Sequence, residues 1–479
     1  MRAIIHDDLT FEVTLTKKYP QLLSWMTLPF FAPVPPEADA FYAAKPCWDR
    51  DWTLDRYPVG TGAFVLTLAD RSRRLQLDRN PDFRGEPYPS EGEPGDVAAG
   101  LLADAGRPMP FLDRVALVYE KESIPRWNKF LQGWYDASGI GEDQFDSVMT
   151  AGGTRLGGLP KERGMALLVD ASPSMHYWAF NMRDPVVGGY DPKRIKLRQA
   201  LSIAFDVEEY LQVFANGRGQ PAMSPLVPGV AGWDAEDFNP VVYAAPGRRR
   251  SLEEAKRLLA EAGYPGGVGE GGPLVLSFDG SLAGQPGFQS EMSWMEKQFA
   301  KLGVQLRFRN TTYRQFREKM EKGTAQMFSW GWNADYPDAE NLMFLLYGPN
   351  AMAGGGGENA ANYARPEFDE WFETMRVMAD GPERRQILRR MNQILRNDAP
   401  WIWGFHPVSF ALTQSWLKNV KPGNFVHANR KYQRIDTRER ERMRRQWNVP
   451  VLWPFALFAA LGLGAWLWRR GRRRARGER

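Results

Sequence analysis

Residues 328–341 read F-S-W-G-W-N-A-D-Y-P-D-A-E-N. The strand-like run 325–332 ends in a loop that carries a lone acid, Asp335, between Trp332 and Tyr336. Pro337 follows and blocks continuation of a ladder or a helix, so the chain must turn there. An acid flanked by flat aromatic faces suits an ammonium-bearing ligand, because the carboxylate supplies charge-assisted hydrogen bonds and the rings add stacking and cation–π contact. An ordinary surface turn with two core aromatics is the alternative. The candidate contacts here are Asp335, Trp332, Tyr336 and Asn333.

Working outward, the periodicity alternates. It predicts strands at 274–278, 304–308 and 325–332, with helices at 289–302 and 313–322 between them, which makes an α/β lobe. In such lobes ligands meet the loops at the carboxyl ends of strands, where Asp335 falls. Upstream, Asp191-Pro192 supplies an N-cap and an N1 proline. Asp206 with Glu209 and Ser251 with Glu254 have capping-box spacing, and Gly217 and Gly263 mark stops. Strand pairs are expected at 57–70 and 73–78, a strand at 112–119 and a short helix at 124–132. Downstream, helices are expected near 366–378 and 382–397, then a strand at 401–405.

The 479 residues allow two or three domains with large cores. The net charge of +5 does not imply nucleic-acid binding. Residues 469–479 hold seven Arg and one Glu, which leaves 55 basic against 56 acidic groups in the rest, a net charge of −1. A neutral body lacks the basic footprint that phosphate backbones require. Cys47 is the single cysteine, so no intrachain disulfide or cysteine metal cluster can form. The first residues, M-R-A-I-I-H-D-D, have no apolar run of signal-peptide type.

Catalytic signatures fail one by one. The glycines 217 and 219 are followed by Pro221 and Pro225, which preclude a phosphate-binding helix. Gly354–Gly357 lacks the Lys-Ser/Thr of a P-loop, and no G-x-S-x-G or H-E-x-x-H is present. His6, His176, His406 and His427 are scattered singly. The expectation is a binding protein without enzymatic activity, cofactor or resident metal.

Residues 449–468 carry no charge, have tryptophans near both ends and reach roughly 30 Å as a helix, so a transmembrane helix is expected there. The basic tail 469–479 points to a cytoplasmic C-terminus, although 430–446 also holds eight basic groups against three acids.

With these segments assembled, the chain resembles the family 5 extracellular solute-binding proteins of bacterial ABC importers. P-V-G-T-G-A-F at 58–64 is similar to the family's P-V-G-T-G-P-F, with Ala63 in place of proline. L-R-Q-A-L-S-I-A-F-D at 197–206 resembles its V-R-Q-A-L-S-Y-A-I-D helix, with Val207 where arginine is usual. G-W-N-A-D-Y-P-D at 331–338 and N-Y-A-R-P-E-F-D at 362–369 match two further segments in order. The resemblance implies an α/β, two-lobe, periplasmic-binding-protein-like body of type II, and the C-terminal helix read from hydropathy departs from the family by tethering that body to the membrane. The body captures peptides in a cleft and delivers them to membrane permease subunits, and nickel or another small solute, or a membrane-tethered sensor, is the alternative. Asp335 would take the ligand's α-ammonium and Trp332 would pack against it, with Trp401 and Trp403 as further contacts on the return strand. The expected organisation is a part-lobe remnant at 1–44, lobe I at 45–182 and 405–432, and lobe II at 183–404. A basic linker at 433–448, the span at 449–468 and the tail at 469–479 follow. The start falls inside the family's first lobe, so a fragment or a wrong start codon is expected. The expected location is the periplasmic face of the inner membrane.

Overall fold

The computed structural model describes residues 2–7, 9–150, 155–281, 288–423, 425, 429–450 and 453–475. Local signals carry most of the helices. The Asp191 carboxylate accepts from the Arg194 amide and opens the helix Pro192–Ala204. Asp206 does the same for Val207–Phe214 and Ser251 for Leu252–Glu261. The complete reciprocal box forms at Thr312 and Gln315, and its helix Tyr313–Lys322 closes on Gly323 at φ +66°, a left-handed position that glycine adopts without steric cost.

The central sheet runs in the order Gln305–Asn310, Val275–Gly280, Met327–Asn333, Ser174–Phe180, Trp401–Thr413, Gly219–Pro221. The first three strands are parallel and the others antiparallel to their neighbours. Both faces are covered. On Ser174–Phe180 the alternate residues Met175, Tyr177 and Ala179 enter one core with Phe328, Leu342 and Trp401. Trp178 and Phe180 enter the other, with Leu201, Phe299 and Leu276. A doubly covered strand loses the polar alternation of a half-exposed one.

One strand joins two sheets. Trp401–Phe405 pairs with Ser174–Phe180, whereas Val408–Thr413 pairs with Ala166–Ala171 and its last three residues with Ala137–Gly139. The other passage lies between Ala171 and Ser174. The boundary expected between residues 182 and 183 is therefore too late: Ser174–Phe180, assigned from sequence to lobe I, is an inner strand of the α/β sheet, with its two faces in two cores. Phe64–Asp70, Arg74–Arg79 and Arg114–Val118 form a separate three-stranded sheet.

Two expectations at the C-terminus are corrected. Residues 433–448 are no free linker. Asp436 caps the helix Thr437–Trp447, which docks through Arg440 on Asp136 at 3.2 Å and through the Trp447 ring, 5.4 Å from that of Trp416. The expected span at 449–468 is not supported: residues 449 and 450 lie outside helical structure, residues 451 and 452 lie outside the described residues, and the last described helix is Trp453–Ala475. Among the described residues no helix is long and apolar enough to cross a membrane.

Candidate functional site

Asp335 lies two residues beyond the strand Met327–Asn333, beside the first passage between sheets. Asn333 pairs with Ser174, and the Ala334 amide donates to the Pro173 carbonyl at 2.8 Å. Asn341 then fixes the loop. Its side-chain oxygen accepts from the Asp335 amide at 2.8 Å and from the Trp332 indole at 3.2 Å, while its nitrogen donates to Asp335 Oδ2 at 3.1 Å. Among the described residues Asp335 Oδ1 has no partner, and none of their cations lies within ion-pair distance of this carboxylate. A half-buried, oriented acid without a countercharge is suited to a cationic group arriving from outside.

The neighbouring residues divide into ligand-accessible and structural ones. Trp332 is half-buried, with its ring edge-on to Phe344 at 5.2 Å, and Asn333 is exposed. Tyr336 is buried: its hydroxyl donates to Glu340, and its ring packs on Trp25 at 5.5 Å. Burial raises both the Tyr336 phenol and the Glu340 carboxyl. Tyr19 also donates to Glu340, at 3.3 Å, so the N-terminal segment clamps the back of the loop. Asp338 holds the fully buried Arg384 at 2.6 Å and anchors the turn after Pro337. Trp401 is 1% exposed and stacked on Tyr177 at 3.7 Å, with Trp403 edge-on to it. Both rings are core, so the ligand role expected for them is corrected: their open faces are already filled. Asn341 is the contact the sequence reading missed, since a lone asparagine six residues past the acid carries no motif.

His406 sits at the other passage, on the strand Trp401–Thr413. It is 2% exposed, and its Nδ1 lies 3.1 Å from the Ser174 carbonyl. Burial drives its pKa down from 6.5 to about 4. The folded state thus holds fewer protons than the unfolded one between these values, and the contribution is complete above about pH 6.5 and lost as the pH falls toward 4. At about 1.4 kcal/mol per pH unit the total is on the order of 3 kcal/mol. Urea unfolding at pH 7 and pH 4.5 should show this as a steeper loss in the wild type than in His406→Gln. Equal losses would show that His406 is not the titrating group.

Among the described residues no three His, Cys, Asp or Glu side chains gather to hold a metal.

Comparison with known proteins bears on the fold and the family. Solved structures of two-lobed binding proteins match the fold. The peptide-bound periplasmic binding protein DppA of Helicobacter pylori has a TM-score of 0.68 at 18% identity, over 91% of this chain and 74% of that one. The Pseudoalteromonas dipeptide binding protein in complex with Met-Leu has a TM-score of 0.66 at 20% identity, over 91% and 75%. The chain belongs to the bacterial extracellular solute-binding proteins, family 5, whose model matches residues 3–354. It is 25% identical to heme-binding protein A of Haemophilus influenzae over 85% of this chain and 64% of the relative. It is 23% identical to the periplasmic oligopeptide-binding protein OppA of Salmonella typhimurium over 86% and 66%. It thus spans about two thirds of the length of these curated relatives.

Proposed function

We propose that this protein is the substrate-binding component of a peptide-type ABC importer, with Asp335 taking the α-ammonium of the bound peptide and Trp332 packing against its first residues. The observation that carries this reading is the uncompensated Asp335 carboxylate, held by Asn341 beside a passage between two sheets. Family membership supports it, as do the oligopeptide- and di/tripeptide-binding names among the relatives. Asn333, exposed at the strand end, is a second polar contact in this reading.

The partners are permease subunits in the membrane, and the location is the periplasm. In the last helix Leu457, Phe458, Leu461 and Leu467 are all more than half exposed, and arginines follow them. This pattern suits contact with an anionic lipid surface, where apolar residues bury shallowly and basic residues meet headgroups.

The test is mass spectrometry of solutes released from the purified full chain. Peptides with free amino termini are expected. A metal complex or a solute without an amine would overturn the reading.

A further inference from the structure

A second feature on the same face of the central sheet is not explained by the Asp335 loop. A cavity of about 180 Å³ lies beside His406, with Gln220, Ser224, Trp233, Asp234 and Asp237 in its wall. A β-bulge places the histidine there. Between His176 and Trp178 the partner strand advances from Phe405 to Ile402, so it carries one residue more than regular pairing allows. Trp401 and Trp403 face the first core and Ile402 the second; after the bulge Phe405 also faces the second core, which turns His406 toward the first. Gly404 permits this, since a Cβ there would stand 2.0 Å from the His176 carbonyl oxygen.

The tautomer follows from the contacts. A carbonyl can only accept, so the Nδ1 facing Ser174 carries the proton. Burial keeps the ring neutral at pH 7, which leaves Nε2 a bare lone pair. Nε2 has no partner among the described residues, although the side chain is 98% buried and borders the cavity. Asp237 is neutralised by Arg396, which also donates to the Met223 carbonyl at 2.9 Å. Asp234, exposed at the rim, has no ion pair among the described residues. The cavity therefore offers an acceptor in its wall and net negative charge at its mouth. An anion is disfavoured because the one nearby guanidinium is already engaged, and a metal because His406 and Asp234 supply two ligands where tight sites use three or more.

We propose that this cavity is a side-chain subsite of the peptide cleft, taking an alkylammonium or guanidinium group through a hydrogen bond to His406 Nε2 with Asp234 as countercharge. The inference rests on the peptide-receptor reading. Trp332 and Trp233 pack against the same core. His406 is two strands from Met327–Asn333, a lateral distance of about 10 Å. An extended peptide covers that in about three residues, so one whose ammonium sits at Asp335 can place a later side chain in the cavity.

The four histidines make the experiment tractable. With ¹⁵N-histidine-labelled full chain, a lysine-containing tripeptide should shift the His406 Nε2 resonance upfield, and its norleucine twin should not. Calorimetry should give about a tenfold preference for the lysine peptide. That preference should vanish in His406→Phe and shrink in Asp234→Asn, which alters only an exposed rim. Equal affinities with an unmoved His406 resonance would overturn the subsite while the peptide reading stands. If neither peptide binds, the peptide reading fails, and n-butylammonium titrated into the same labelled protein decides the cavity. A shift confined to His406 supports the cation site, and a silent His406 overturns it.

Discussion

Replacing Asp335 with asparagine should weaken binding of a peptide with a free amino terminus by about 10- to 100-fold. The magnitude follows from the roughly 1.5–3 kcal/mol net worth of a hydrogen bond between ionised partners. Asparagine preserves shape and can still pair with Asn341 Nδ2, which in the wild type lies 3.1 Å from Asp335 Oδ2. The loop therefore keeps its form and only the charge is lost. Calorimetric titration of a peptide and its N-acetylated twin isolates that charge. Wild type should prefer the free peptide, and the variant should lose most of the preference. Trp332→Ala should cost affinity for both twins alike, because apolar burial and stacking do not require the ammonium. An unchanged preference in Asp335→Asn would return the loop to the status of an ordinary turn.

Arg198→Met should destabilise the protein by about 3–5 kcal/mol, the range for removing one member of a buried charged network. Arg198 is fully buried and donates to three carbonyls, those of Val187 and Asp398 at 2.8 Å and of Gly189 at 2.9 Å. Burial lowers its pKa to about 10, against the opposing pull of Asp398. That aspartate is also fully buried, accepts from the Tyr363 hydroxyl at 2.8 Å and has Arg365 at 3.5 Å. Methionine fills much of the volume but strands the carbonyls and removes a nearby positive charge from the carboxylate, which keeps Tyr363 and Arg365. The measurement is urea unfolding followed by circular dichroism, paired with peptide affinity under native conditions. A fall in stability with affinity within about twofold of wild type is expected, and a loss below about 1 kcal/mol would show that the network rearranges at little cost.

This arginine also explains part of what the sequence revealed. The segment 197–206 is recognisable because its residues meet separate demands: Arg198 ties the helix to the end of Pro382–Asp398, while Leu197, Ala200 and Leu201 fill a core. The helices were legible for a similar reason, since a cap and an apolar face are both local signals. The return strand was less so. Pro407 reads as a stop, yet it sits at the change of partner, where its carbonyl accepts from the Ser172 amide and its missing N–H costs the ladder little. Trp401 and Trp403 were misread because a tryptophan that stacks on a ligand and one that stacks on Tyr177 look alike in sequence. The membrane span rested on hydropathy alone, and among the described residues no helix is long and apolar enough to bear it out. At the candidate site, the position of Trp332 and of the acid at the end of a strand was legible from their spacing. Asn341 was not, because its role depends on a turn whose geometry no short pattern encodes.

The two passages between sheets have a mechanical consequence. One holds Pro173 and the other Pro407, flanked by strands whose amides are committed to ladders. A proline ring fixes its own φ, so each connection loses one of the two rotations otherwise open at that residue. Part of any relative rotation of the sheets would then be taken up as a small twist spread along the thirteen-residue strand Trp401–Thr413, as in a torsion bar clamped at both ends. Such a bar returns to its rest angle when the load is removed. A solute that closes the structure would store part of its binding energy as elastic twist and give it back on release. Affinity and the ease of unloading would then be set by the same strand, and stiffening it would weaken capture and speed delivery together.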